Sequence, residues 1–316
     1  GAPEELGPAA DDFFGFDEEY APGRGAPAPS AGVAGAAPLV PDGGERDMGS
    51  AVVVGVVLAA VILGAMSVGT AAAMVVVTIA LGLAAVELFN ALRMAGYQPA
   101  VLLGLAGCVT LPLAVYWRGE QAIPVVLVLS VIFGGLWYLT GVGPEGPLRG
   151  LASTLLGIVW IGVLGSYAAV MLAVPGHGTG LLTAAILVTV AYDVGGLFVG
   201  RAAGRTPLSP ASPNKTVEGL IGGCAAAVGV GVVMGILGKP APFADLPGGF
   251  VESLALGVAA AVVAPLGDLT ESLLKRDLGV KDMGSLLPGH GGVLDRFDSM
   301  LFVLPTTWFV ARVVLF

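Results

Sequence analysis

Long apolar runs recur along most of the chain and limit the kinds of structure it can adopt. Of the 316 residues, 56% are hydrophobic and only 12% are charged, whereas about a quarter are charged in a typical soluble domain. An apolar run of about 20 residues lets a helix cross the hydrocarbon layer of a membrane. Nine such runs lie near residues 51–67, 69–92, 99–117, 121–139, 150–173, 178–200, 217–238, 248–268 and 297–316. The sequence therefore predicts an all-α polytopic membrane protein with about nine transmembrane helices.

The N-terminal segment has a different composition. Residues 1–48 are rich in Pro, Ala and Gly, and they hold ten acidic residues against two basic ones, Arg24 and Arg46. Such a segment buries too little apolar surface to offset the entropy lost on ordering. We predict a disordered acidic tail over 1–48. N-terminal transmembrane helices follow over 49–149, and residues 150–316 form the region that carries the polar motifs.

Lysine and arginine are distributed unevenly between the two sides of the predicted bundle. Eleven lie on the side of the N-terminus, and three, Arg118, Lys239 and Arg312, lie on the other. Cytoplasmic loops of membrane proteins carry the excess of these residues. We therefore expect the tail and the large polar loops in the cytoplasm and the C-terminus outside. The membrane itself is expected to be the inner (plasma) membrane of the cell, a point that this distribution does not decide.

The seventh predicted helix carries small residues at every fourth position. They are Gly219, Gly223, Ala227, Gly231 and Gly235. A stripe of this kind lets membrane helices approach closely. Two interpretations stay open: tight packing within the bundle of one chain, and a contact between two copies.

A polar stretch near the C-terminus stands out in this hydrophobic chain, with eleven ionisable side chains between Asp268 and Asp298. If the eighth helix continues beyond its apolar part, four polar residues share one face: Asp268, Glu271, Ser272 and Lys275. Asp295 and Asp298, three residues apart, share a face of the ninth helix. Carboxylates from the two helices can then converge, and such oxygen ligands suit Mg²⁺. The alternative is a solvated, ion-paired cytoplasmic loop.

Three further features bear on this region. Pro265 is expected to kink or end the eighth helix near its polar end, together with Gly267. Asp193 lies inside an apolar run and needs a metal ion, a base or water to compensate its charge. Glycines around His290, namely Gly289, Gly291 and Gly292, permit tight turns and the close approach of a ligand.

A second polar cluster follows the sixth predicted helix. Arg201, Arg205 and Lys215 are suited to binding phosphate oxygens, although positive-inside anchoring is the alternative for such residues. Ser212 and Pro213 are predicted to form a turn. Thr216 or Asn214 is predicted to cap the next helix. The number of intervening helices places this cluster on the same side as the C-terminal one.

The C-terminal stretch resembles the signature of the phosphatidate cytidylyltransferase, or CDP-diacylglycerol synthase, family. The matching residues are Ser272-Leu-Leu-Lys275-Arg276, Lys281-Asp282 and His290-Gly291-Gly292-Val-Leu-Asp295-Arg296-Phe-Asp298. The segment from Asp193 to Gly219 is similar to a second motif of that family, but Asn214 stands where a lysine is common. Before residue 150 the resemblance rests on hydropathy, with Glu87 and Arg93 at a plausible place.

The resemblance implies an integral-membrane nucleotidyltransferase of phospholipid biosynthesis. Its substrates would be CTP and phosphatidic acid, its products CDP-diacylglycerol and pyrophosphate, and its cofactor Mg²⁺, with a second cation as an option. It also implies a homodimer that works on membrane lipid and binds no nucleic acid. The expected catalytic residues are Asp268, Asp295, Lys275, Arg276 and Lys281.

The expected binding residues fall into two sets. The phosphate-binding set is Lys215, Arg201, Arg296, Ser272, His290, Gly291 and Gly292. The metal-binding set is Asp268 and Asp295, with Asp298 and Asp193 in support. For His290, a structural role in its glycine-rich turn is the alternative.

Two other kinds of protein remain as alternatives. One is a CTP-dependent polyprenol kinase or another CDP-lipid synthase, which share a related membrane architecture. The other is a transporter, whose intramembrane charges would form an ion pathway. A transporter would need polar groups distributed across the bilayer, whereas here they gather at one side and the first five predicted helices contain almost none.

Overall fold

Helices make up most of the structure, a computed structural model that describes residues 48–141, 146–209, 212–237, 249–284 and 291–314. In chain order the helices are α1 (Met48–Val68), α2 (Thr70–Met94), α3 (Val101–Arg118), α4 (Ala122–Leu139), α5 (Pro147–Gly157), α6 (Leu164–Leu172), α7 (Gly178–Ala203), α8 (Val217–Ile236), α9 (Phe250–Asp277) and α10 (Leu294–Val314). A π-helical segment, Ile158–Val163, joins α5 to α6. The acidic tail predicted over 1–48 lies outside the described residues, except for Met48.

The prediction of about nine membrane helices is confirmed. Within the described ranges, eight helical stretches are long and apolar enough to cross a membrane, with Pro147–Leu172 counted as one. Helix α1 coincides with the first predicted span. Large apolar side chains such as Phe133 and Val128 of α4 are exposed, which suits a surface that faces lipid tails rather than water.

Close helix packing through small residues builds the C-terminal half of the bundle. A Cβ atom on Gly219 of α8 would lie 3.0 Å from the carbonyl oxygen of Gly196 on α7. One on Gly231 would lie 2.7 Å from the carbonyl oxygen of Ser253 on α9. The small-residue stripe of α8 therefore packs against α7 and α9 of the same chain, the first of the two interpretations.

A buried apolar cluster holds the start of α10 in place. Phe89 of α2, Ile158 of the π-helical segment and Leu294 of α10 are each fully buried in it. Leu294 directly precedes Asp295, so burial of this side chain determines where the first carboxylate of α10 lies. The N-terminal helices thus support the polar region that the C-terminal helices carry.

Helix α9 continues past Pro265 to Asp277, so of the two outcomes expected at this proline, a kink or an end of the helix, the end is wrong. Pro265 has no N–H to donate to the carbonyl of Ala261, four residues earlier. The thiol of Cys224 on α8 donates to that carbonyl instead, with Sγ 3.2 Å from the oxygen. A neighbouring helix therefore supplies the hydrogen bond that the proline removes, and the helix can extend past it.

The segment between α7 and α8 forms a β-hairpin, which the all-helical prediction did not include. Strand β1 (Pro207–Ser209) pairs antiparallel with β2 (Ser212–Thr216). The prediction of a turn at Ser212 and Pro213 is wrong, because both residues lie in β2. Next to the hairpin, the Glu218 carboxylate accepts hydrogen bonds from the backbone N–H groups of Arg205, at 3.0 Å, and Thr206, at 3.2 Å. These bonds connect the two residues before β1 to the first turn of α8.

The predicted cap of α8 is found at Thr216. Its hydroxyl oxygen accepts a hydrogen bond from the backbone N–H of Gly219 at 3.1 Å. The side chain of Asn214, the other candidate, lies outside the described residues. The cap fixes the backbone next to Lys215, so it helps to orient the hairpin towards α9.

Candidate active site

Helices α9 and α10 are joined by an ion-paired cluster around Lys275. The ammonium nitrogen lies 2.5 Å from Glu271 Oε2, one turn earlier on α9, and 2.6 Å from Asp295 Oδ1 on α10. Glu271 is only 1% exposed. The helical continuation past Pro265 places these side chains on one face, as the residue spacing predicted. The two sets of carboxylates therefore meet across a shared lysine.

The hairpin contributes a second lysine to the same region. Lys215 Nζ forms an ion pair with Asp268 and donates a hydrogen bond to Ser272 Oγ at 3.5 Å. These contacts link the two polar clusters of the sequence, which lie more than fifty residues apart. The prediction that both lie on one side of the bundle agrees with this arrangement.

The first turn of α10 is held by backbone donors. Asp295 Oδ2 accepts from the N–H of Gly292 at 2.6 Å, and Oδ1 accepts from the N–H of Met283 at 3.1 Å. Gly291 has φ +78°, a conformation that side-chain-bearing residues rarely adopt. The tight turn expected at this glycine is therefore present. His290 and Gly289 lie outside the described residues.

A cavity of about 570 Å³ opens beside these groups, between α7, the hairpin, α8, α9 and α10. Its charged lining residues are Asp193, Arg201, Lys215, Asp268, Asp295, Arg296 and Asp298. Asp298 is buried, with 8% of its surface exposed. Asp193 is exposed, so water in the cavity can solvate its carboxylate. Cationic side chains suit phosphate oxygens and carboxylates suit a divalent cation. The cavity can therefore hold a polyphosphate together with a metal ion.

Several predicted site residues lie near this cavity without lining it. Lys275 is set behind Asp295, and Ser272 is linked to the cavity through Lys215. Arg276 and Lys281 are exposed, and neither is among the described residues that line the cavity. The predicted site residues thus divide into those that line the cavity and those that lie around it without lining it.

Two carboxylates near the cavity were not assigned to the site from the sequence. Glu271 was placed on the polar face of α9, but was given no role. Glu87 of α2 is 3% exposed, and its Oε2 accepts a hydrogen bond from the N–H of Leu294 at 2.9 Å. A single acidic residue within an apolar run was the available signal, because charge at membrane depth is costly.

The fit of Mg²⁺ to this site rests on ligand type. Within the described ranges no group of three or more His, Cys, Asp or Glu residues is arranged to hold a metal ion. Asp268 and Asp295 are each paired with a lysine. The carboxylates offer only oxygen, the ligand that Mg²⁺ prefers. Glu271 Oε1 is buried and has no hydrogen-bond partner among the described residues. An unpaired, buried carboxylate oxygen in such surroundings suits a nearby cation.

The fold and the site define a polytopic membrane protein with a cavity at one end of its helix bundle that acidic and basic side chains line. A model of the cytidylyltransferase family matches residues 49–314, and the chain belongs to that family. Over 291 residues it is 31% identical to a phosphatidate cytidylyltransferase of Mycobacterium bovis. The aligned region covers 84% of this chain and 88% of the relative.

Other relatives match more strongly over shorter segments. Identity is 51% over 118 residues with a phosphatidate cytidylyltransferase of Helicobacter pylori, covering 37% of this chain and 41% of the relative. With a phosphatidate cytidylyltransferase of Bacillus subtilis the identity is 39% over 156 residues, and the aligned region covers 49% of this chain and 56% of the relative. The chain thus spans about half the length, or less, of these two relatives.

Proposed function

We propose that this protein is a phosphatidate cytidylyltransferase, which converts CTP and phosphatidic acid into CDP-diacylglycerol and pyrophosphate. The observation that carries the proposal is the meeting of the hairpin, α9 and α10 at one charged cavity, through the Lys215–Asp268 and Lys275–Asp295 pairs. The names of the relatives support the same reaction. The cavity opens at one end of a membrane bundle, where a water-soluble nucleotide and a lipid can meet.

The proposed reaction is a substitution at the α-phosphorus of CTP. A phosphate oxygen of phosphatidic acid forms a bond to that phosphorus, and the bond to the bridging oxygen of the β-phosphate breaks. Pyrophosphate leaves with the electron pair of the broken bond. The attacking phosphate is already an anion near neutral pH, so a general base is not required. Positioning and electrostatic stabilisation dominate such transfers.

The cationic residues of the cavity would bind and orient the phosphates. Lys215, Arg201 and Arg296 lie on its wall, and guanidinium groups can bind phosphate oxygens in a bidentate manner. Arg276, Lys281 and His290 are proposed to contact phosphates from the loop side, as the family resemblance implies. Lys275 touches Glu271 and Asp295, so we assign it to holding Asp295 in position.

Mg²⁺ is the proposed cofactor. Asp268 and Asp295 would hold it, with Asp298 and Asp193 in support or as ligands of a second cation. All four line the cavity. The chemistry supplied by the bound ion would be neutralisation of phosphate charge and stabilisation of the departing pyrophosphate.

The proposed location is the inner (plasma) membrane, with the cavity and the N-terminal tail in the cytoplasm and the C-terminus outside. The excess of lysine and arginine at the cavity end supports this orientation. Phosphatidic acid would then enter from the cytoplasmic leaflet. A homodimer is proposed from the family resemblance, and the mass of the detergent-solubilised protein would test it.

A direct assay tests the proposed function. Purified protein would be incubated with CTP, Mg²⁺ and either phosphatidic acid or a polyprenol. Formation of CDP-diacylglycerol and pyrophosphate from phosphatidic acid is expected. A phosphorylated polyprenol would indicate a CTP-dependent kinase instead. The absence of turnover with either lipid would contradict the proposal and favour the transporter alternative.

A further inference from the structure

A second polar cavity, of about 590 Å³, lies at the end of α2. Glu87, Asn90 and Arg93 of α2 line it together with Met283 and Gly284 of the segment before α10. None of the three α2 side chains has a part in the chemistry described so far. One carboxylate, one amide and one guanidinium group provide both hydrogen-bond acceptors and donors. That combination suits a ligand with a patterned polar edge rather than a simple anion.

The carboxylate of Glu87 is incompletely paired. Its Oε2 accepts from the N–H of Leu294 at 2.9 Å, but its Oε1 has no hydrogen-bond partner within the described ranges. A buried acceptor without a donor costs free energy that a ligand donor would recover. A Cβ atom on Gly284 would overlap this carboxylate. The glycine therefore makes room for the Glu87 carboxylate at one end of the cavity, where the buried Oε1 needs a donor.

The second cavity lies close to the proposed catalytic groups. A Cβ atom on Gly292 would lie 2.5 Å from Glu87 Oε2 and 2.9 Å from Asp295 Oδ2. Glu87 and Asp295 therefore flank the same glycine. Leu294, whose N–H binds Glu87, is the neighbour of Asp295. The two cavities have no lining residue in common among those described, so a nucleotide with its phosphates beside Asp295 and its base in the second cavity would extend past Gly292.

We propose that Glu87, Asn90 and Arg93 form the subsite that recognises the cytosine base of CTP. The N4 amino group of cytosine would donate to Glu87 Oε1, as carboxylates accept from this group in nucleic-acid complexes. The N3 and O2 atoms would accept from Asn90 and Arg93. Uracil has a carbonyl oxygen in place of the amino group, so it would leave the buried Glu87 oxygen facing a second acceptor. This inference rests on the proposed function, since it names the part of CTP that the second cavity would recognise.

The test compares CTP with UTP in the wild-type protein and in Glu87→Gln. Glutamine can turn its NH₂ group towards the O4 atom of uracil, so the ratio of kcat/KM for CTP to that for UTP should fall at least about tenfold. General damage to α10 would lower both values together and leave the ratio unchanged. An unchanged ratio in an active Glu87→Gln protein would overturn the proposal. Glu120→Gln is the matched control, because Glu120 pairs with Arg312 near the other end of α10, and it should keep the wild-type ratio.

A second pair of variants does not depend on a buried residue. Asn90 and Arg93 are exposed, so Asn90→Ala and Arg93→Ala should fold normally. Each should weaken binding of CTP about tenfold in equilibrium titrations. Loss of the donor to N3 should affect CTP more than UTP, because N3 of uracil carries a hydrogen, whereas loss of the donor to O2 should affect both nucleotides. A loss of phosphatidic acid binding with CTP binding intact would assign the cavity to the lipid headgroup and overturn the proposal. Wild-type protein that binds CTP in preference to UTP but makes no CDP-diacylglycerol would refute the proposed function and leave this inference standing.

Discussion

Lys275 on α9 lies 2.6 Å from Asp295 on α10, and this ion pair connects the two parts of the C-terminal polar stretch. The same nitrogen lies 2.5 Å from Glu271, so two carboxylates share one lysine. One ammonium group thus holds Glu271 and Asp295 together beside the main cavity, and carboxylate oxygens are the ligand type that a divalent cation prefers.

The two aspartates proposed as metal ligands should be essential for activity. Asp268→Asn and Asp295→Asn should each lower the rate of CDP-diacylglycerol formation at least about 100-fold, because a neutral amide binds Mg²⁺ poorly. Radiolabelled CTP and saturating Mg²⁺ give the measurement, and gel filtration shows whether each variant remains folded. Near-normal turnover in either variant would rule out the two-carboxylate model.

Removing Lys275, the shared lysine, should destabilise the protein more than removing Arg312, which is more exposed. Lys275→Met leaves Glu271 and Asp295 without their counter-charge, and breaking a buried pair in this way costs about 3–5 kcal/mol. Arg312→Met is the matched control, since the Arg312–Glu120 pair is more exposed and such pairs contribute about 0–1 kcal/mol. Thermal unfolding in detergent would measure both, and equal shifts in Tm would contradict the assignment.

The close contact of α9 with α10 depends on Gly267. A Cβ atom there would lie 2.6 Å from the carbonyl oxygen of Asp298 and 2.9 Å from Cα of Ser299. Gly267→Ala should force the helices apart, at a cost of about 1–3 kcal/mol, and should reduce activity because Asp268 and Asp298 separate. Gly135→Ala on α4, where a Cβ meets nothing within 4 Å, should leave Tm and turnover close to wild type. If the two alanine variants behave alike, the helix contact does not position the site.

The thiol of Cys224 should have a measurable part in keeping α9 continuous. Cys224→Ala leaves the Ala261 carbonyl without its donor, which should lower the free energy of unfolding by about 1 kcal/mol. Cys224→Ser supplies a hydroxyl donor and should restore most of the loss. Chemical unfolding in detergent compares the three proteins. A serine variant as unstable as the alanine variant would show that the volume of the sulfur matters rather than its hydrogen bond.

Some features of the site followed from residue spacing and others did not. The common face of Asp268, Glu271 and Lys275 was predictable, because it needs only the helical repeat. The extension of α9 past Pro265 was not, because the compensating hydrogen bond comes from another helix. The hairpin was missed because a strand depends on its pairing partner, here Pro207 with Thr216 and Ser209 with Ser212. Local signals at Ser212 and Pro213 indicated a turn, whereas both residues lie in the strand that this pairing forms.

The sequence by itself determined the class of fold and the charged residues that line the main cavity. Apolar runs of about 20 residues indicate membrane helices, because a helix satisfies the backbone hydrogen bonds within the segment. Only the tertiary structure decided which charges meet. Lys215 with Asp268 and Glu87 with the backbone of Leu294 join positions far apart in the chain. These partners follow from how the helices pack in three dimensions, which the periodicity of each helix alone does not specify.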